Sequence, residues 1–194
     1  MFSNPIIADT YSRALDCMVG SLVLTDFMKM LVAGMGNVLR GDDGFGIRVV
    51  EALSENYDLG DEVDFYEAGI GGIGLVQELM KGYEALIVVD AVEKEAVPGT
   101  VFVLKPLENQ PEIPDLALHQ SMVDMHYADP AKVLQLARAL NVCPPTVFIV
   151  GCQPEYVEDA VEGLRPPIER AVPQAVEQVL LLIDELRTTR PTSI

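Results

Sequence analysis

Four acids follow short apolar runs: Asp42 and Asp43 after residues 30–34, Glu67 after residues 63–66, and Asp90 after residues 85–89. An acid that closes the most apolar run of a chain is costly unless it stays near solvent or meets a partner. If these runs are strands of one parallel sheet, their carboxyl ends open on a common crevice, where such sheets gather ligands. Asp43 and Asp90 then converge on one cavity. Asp42, just ahead of Gly44 and a helical pattern, is expected to be an N-cap or a solvated turn residue. Two carboxylates and one imidazole would make a ligand set suited to Zn, Ni, Mn or Fe. The chain has two His to complete it. His126 lies three residues before Asp129, at the entrance of a capped helix, whereas His119 lies in the middle of a long loop. A site needs rigid support, which favours His126.

The elements that would hold these residues alternate. Apolar runs at 30–34, 63–66, 85–89, 100–104 and 146–150 read as strands, and the run after Pro98-Gly99 as an edge strand. Phe45, Val49, Val50 and Leu53 recur at helical spacing. Further helices are expected over 73–80, from Asp129-Pro130 to about Leu140, and over 168–186, with Pro173 in the first turns of the last. The fold class expected is α/β: a three-layer sandwich with a mostly parallel twisted sheet of about five strands and helices on both faces. Residues 107–127 read as a long loop, a length usually kept for function. Residues 1–27 are expected to be an extension, weakly ordered or a single helix, with Met28 or Met30 an alternative start. The domain then spans 28–187 and a tail 188–194.

Composition narrows the chemistry. Of 194 residues, 13 are Lys or Arg and 30 are Asp or Glu, a net charge of −17 that repels nucleic acid and anionic membrane surfaces. Hydrophobic residues make up 49%, enough for a sizeable core, yet no run reaches the roughly 18 apolar residues of a membrane span. Three Cys without a CxxC pair give neither a disulfide framework nor a thiolate zinc site, and suit a reducing, cytoplasmic setting. Cys152 follows a core strand with no His nearby in sequence and reads as a small buried hydrophobe. Gly34-Met-Gly36 imitates a dinucleotide fingerprint, but Leu39 stands at the third glycine, and Asp42 and Asp43 would face the pyrophosphate. A nucleotide site is disfavoured.

The run Gly34-Met-Gly-Asn-Val-Leu-Arg-Gly-Asp-Asp-Gly-Phe-Gly46 resembles the N-terminal signature of the hydrogenase maturation proteases. The resemblance continues through Glu67-Ala-Gly69, Leu86-Ile-Val-Val-Asp-Ala91, Pro98-Gly-Thr100, His126-Tyr-Ala-Asp-Pro130 and Val150-Gly-Cys-Gln-Pro154, about residues 30–186 in all. It implies a cytoplasmic, aspartic-type endopeptidase. Its substrate would be a nickel-loaded precursor of a nickel-iron hydrogenase large subunit, which it activates by removing the C-terminal peptide. In the family an acid after the first strand, an Asp ending a later strand and a His before a helix line a metal-binding cleft. By motif these are Asp43, Asp90 and His126, as both metal ligands and catalytic residues. The resemblance implies that nickel comes with the substrate, while Zn or Cd can occupy the same site. Where the family commonly has Asp-Gly-Gly this chain has Glu67-Ala68-Gly69, so no role is carried over to Glu67. The water could be activated by a carboxylate as general base or by metal polarising the scissile carbonyl. The competing reading is a non-catalytic metal-sensing or docking protein on the same fold. The expected partner is the precursor, with no nucleic acid and no membrane, and the protein is expected to be a monomer.

Overall fold

Aliphatic and β-branched side chains fill a pleated surface that is covered on both sides, so the apolar runs become strands. The computed structural model describes residues 28–106, 129–157 and 161–189. The strands are β1 (Met30–Met35), β2 (Val63–Gly69), β3 (Ala85–Ala91), β4 (Val101–Leu104) and β5 (Thr146–Cys152). The helices are α1 (Phe45–Asn56), α2 (Gly72–Leu79), α3 (Pro130–Ala139), the single turn α4 (Pro166–Glu169) and α5 (Val172–Thr188). Strand order is β2-β1-β3-β5-β4, all parallel except the edge strand β4, which runs antiparallel to β5. The three-layer, mostly parallel architecture expected from the sequence is therefore present.

Every residue of β1, and of β3 as far as Asp90, is buried, with no in–out alternation, because a helical layer covers each face. On one face Phe45, Val49, Leu53, Ile168, Val179 and Ile183 of α1, α4 and α5 pack against Val32, Ile87 and Val150. On the other, Leu75 and Leu79 of α2 and Val133 and Ala137 of α3 pack against Leu31, Ala33, Leu86 and Val88. Truncating fully buried Phe45 or Leu31 to Ala would cost about 3–5 kcal/mol. Gly46 sets how close α1 comes to the sheet. A Cβ there would overlap the carbonyl oxygens of Val89 and Met35, so a larger residue would push the helix off β1 and β3.

From β1 the chain steps outward through α1 to β2, then returns through α2 to β3 on the other side of β1. The carboxyl ends of β1 and β3 therefore flank the switch point of the sheet, where no connection crosses and a crevice opens.

The C-terminal helix departs from expectation. Instead of one helix over 168–186 there are two, α4 and α5, separated by Arg170 and Ala171. Pro173 has no N–H and its ring excludes a carbonyl one turn earlier, so it occupies the first turn of a new helix. Thr188, placed in the tail by the sequence reading, is the last residue of α5. The long loop read at 107–127, the extension 1–27 and the tail from residue 190 lie outside the described residues. Among those described, no helix is long and apolar enough to cross a membrane.

Candidate active site

The loop after β1 begins at Gly36, whose φ of 113° is open to glycine and strained for other residues. Its N–H donates to the Gly69 carbonyl at 3.0 Å, tying the ends of β1 and β2 together. Asn37 then turns the chain: its side-chain oxygen accepts from Leu39 N at 3.0 Å, a local turn that Asn favours. The Asn37 N–H donates to Asp43 Oδ2 at 3.0 Å. A short 3₁₀ turn, Asp42–Gly44, delivers the chain into α1.

Asp43 is half-buried. Burial raises its proton affinity, while the Asn37 N–H and the charge of Arg40 pull it back. Asp90 ends β3 with 6% of its surface exposed. Burial pushes its carboxyl well above the usual range, the negative charge of Asp43 pushes it further, and Asp129 adds to the effect. Only the Ala91 N–H opposes. A Cβ on Gly36 would lie 3.6 Å from Asp90 Oδ1 and would overlap the Asp43 carbonyl, so this glycine is where the two site segments meet. The structure thus brings Asp43 and Asp90 together, as the strand-end argument expects.

Two neighbouring carboxyls raised by burial, Asp90 further by the charge of Asp43, fit a divalent cation, which would favour their ionised forms. Among the described residues, no third His, Cys, Asp or Glu completes a group of three able to hold a metal. His126, the expected nitrogen ligand, lies outside the described residues, as does its rival His119. Asp129 caps α3 as the sequence indicates, its Oδ1 accepting from Ala131 N at 2.8 Å. Glu67 is exposed at the end of β2 and lines a cleft of about 320 Å³ with Gly36, Asn37, Ile47 and Ile70.

Asp42 is not the N-cap or solvated turn residue expected. It is completely buried, and no side chain caps α1. Its Oδ2 accepts from Glu155 N at 3.0 Å and Tyr156 N at 3.1 Å, and its Oδ1 from Arg165 N at 2.8 Å. Three backbone donors satisfy the carboxylate in place of water, with Arg165 Nη1 3.6 Å away. Sequence reasoning missed this socket because the donors lie 113 to 123 residues downstream. Cys152 matches the sequence reading. It is fully buried, and burial pushes its thiol up to about 12, which leaves no thiolate for nucleophilic attack.

A doubly wound α/β domain with two converging acids at its switch point defines the class of protein. A family model for hydrogenase maturation proteases matches residues 47–181. The hydrogenase 2 maturation protease of Escherichia coli is 36% identical over 159 residues, covering 81% of this chain and 92% of its own length. Hydrogenase expression/formation protein HupD of Rhizobium leguminosarum bv. viciae is 34% identical, over 80% of this chain and 74% of its own. The solved structure of the hydrogenase maturating endopeptidase HybD from E. coli superposes with a TM-score of 0.64 at 30% identity, covering 81% of this chain and 93% of that one. The chain belongs to the hydrogenase maturation protease family.

Proposed function

We propose that the protein is an endopeptidase that removes the C-terminal peptide from a nickel-loaded nickel-iron hydrogenase large-subunit precursor. The observation that carries this reading is the Asp43–Asp90 pair, held at the switch point of a sheet shared with named endopeptidases of the family. In this reading Asp43, Asp90 and His126 are the metal ligands and the catalytic residues, and nickel arrives as part of the substrate. Zn or Cd could fill the same O/O/N set. Hydrolysis adds one water across the scissile amide: the C–N bond breaks, a C–O bond forms, and the departing nitrogen takes a proton. The carboxylate pair stands ready to ligate the incoming metal and to accept the proton of the attacking water.

Metal loading then becomes a condition for cleavage, because an unloaded precursor presents nothing for the acids to bind. A folded precursor also supplies the surface that orients the scissile bond, which a short peptide lacks. The net charge of −17 sets this protein against nucleic acid as a partner, and a monomer acting in the cytoplasm completes the reading. Incubation with nickel-loaded and metal-free precursor, followed by intact mass, tests it. The loaded form should lose its C-terminal peptide and the metal-free form should not. Efficient metal-independent cleavage of a synthetic peptide spanning the junction would reject metal-dependent recognition and point to an ordinary protease.

A further inference from the structure

The chain segment that follows β5 touches both halves of the acid site without entering it. On one side it supplies the Glu155 and Tyr156 N–H groups to buried Asp42, the residue next to Asp43. Two bridges reinforce this seam: Arg40 pairs with Val161, and Gly41 with Val157, the Gly41 N–H donating to the Val161 carbonyl at 2.6 Å. On the other side Gln153, 9% exposed, grips the stretch that follows Asp90. Its Oε1 accepts from Lys94 N at 2.7 Å and Ala96 N at 3.2 Å. Its backbone accepts from Gly99 N and donates to the Thr100 carbonyl, both at 2.9 Å.

We propose that Asp42 is a positioning residue. It locks the loop carrying Asp43 to residues 153–156, while Gln153 locks the stretch after Asp90 to the same residues. One segment thereby sets the spacing of the two carboxylates. The chemistry of the socket requires an aspartate there. Three N–H donors converge on two acceptor oxygens, so an Asn in either orientation turns its amide NH₂ toward at least one donor. An unpaired donor in a fully buried place is expensive, and the loop would shift to relieve it. Asp43 would move with it, because the two residues share the same 3₁₀ turn.

The test is Asp42→Asn in the full-length protein, read in two ways. The first is amide hydrogen exchange at Asn37, whose N–H is held by Asp43. It should exchange about tenfold faster in the variant, while the Val32 and Ile87 amides in the strands keep wild-type protection. The second is precursor processing, where kcat should fall about tenfold or more with KM within about twofold, since the reacting groups and not the docking surface are displaced. If Asp42→Asn fails to fold, Arg165→Pro removes one of the three donors while keeping Asp42, and Arg165→Ala, which loses the same guanidinium contacts but keeps the N–H, is its control. Residue 165 has φ −69° and ψ 153°, a conformation proline adopts without strain. Exchange at Asn37 should then rise about threefold.

Wild-type Asn37 exchange and kcat in a folded variant would overturn the proposal. So would a uniform loss of protection across β1 and β3, which would mark Asp42 as merely structural. The kinetic reading rests on the proposed endopeptidase function and the exchange reading does not. An inactive wild type whose variant still loosens at Asn37 would count against that function while supporting the positioning role.

Discussion

Each end of the central sheet carries a pair of carboxylates, and the two pairs are treated in opposite ways. At the amino end, Asp64 on β2 and Glu78 on α2 share the hydroxyl of buried Tyr83, which donates to them at 2.6 and 2.8 Å. Lys29 pairs with Asp64 at 2.9 Å and Lys81 with Glu78 at 2.6 Å. The Tyr83 hydrogen bond lowers the Asp64 carboxyl, and Lys81 foremost lowers that of Glu78. Burial and the two acids in turn push the Tyr83 hydroxyl up. At the carboxyl end, Asp43 and Asp90 are more deeply enclosed and burial pushes both upward, the charge of Asp43 raising Asp90 further. The first pair is neutralised by its own chain. In the second, burial and the charge of Asp43 on Asp90 outweigh the charge of Arg40 beside Asp43, the pattern that separates a candidate functional site from a structural network.

The strongest way to break this contrast is Asp90→Asn. Precursor processing should fall by roughly a hundredfold or more, because the acid proposed as ligand and proton acceptor is lost at constant volume. The same change should cost no stability at neutral pH and should raise Tm by about 2–4 °C, since it removes a buried carboxyl whose ionisation the folded state disfavours. A functional acid whose loss also unfolded the protein would erase the distinction between the two ends. The histidines come next: His126→Ala should reduce processing by about a hundredfold, and His119→Ala by less than about threefold. Reversal of the two would reassign the nitrogen ligand.

Stability against pH separates the ends with opposite signs. Asp43 and Asp90 hold protons more tightly folded than unfolded. Their contribution is present at low pH and is lost as pH rises above the ordinary 3.8 toward their raised folded values. Asp64 and Glu78 hold protons less tightly folded, so their contribution is present above their ordinary 3.8 and 4.5 and is lost as pH falls through the lowered values. Urea melts should therefore show Asp90→Asn more stable than wild type at neutral pH and equal to it in acid. Asp64→Asn should be less stable at neutral pH, with the gap closing in acid. The smallest effect belongs to Tyr83→Phe, which should cost about 1 kcal/mol and leave processing within about twofold.

Much of the site was legible in the sequence because its signals are local. Asp90 ends the most apolar run, Asp129-Pro130 announces a capped helix, and Asp43 stands in the loop between a strand and a helix; the structure places Asp43 and Asp129 within electrostatic reach of Asp90. Asp42 was misread by the same local logic. An acid before a glycine and a helix resembles a cap, and nothing in the neighbouring residues shows that its donors lie beyond β5. The network of Lys29, Asp64, Glu78 and Tyr83 was invisible for the same reason, since it joins residues from several elements. Helical periodicity likewise runs through 168–186, and Pro173, in the first turn after the break at Arg170 and Ala171, shows where a helix can start without showing that one does.

Calorimetric titration of a divalent metal such as Ni²⁺ or Cd²⁺ into the wild type, Asp90→Asn and Asp64→Asn tests the central claim most directly. Wild type and Asp64→Asn should bind one ion with equal affinity, and Asp90→Asn should bind about tenfold or more weakly, because the proposed metal site is the carboxyl-end pair and not the Asp64 network. Undiminished binding by Asp90→Asn, or an equal loss in Asp64→Asn, would contradict the account.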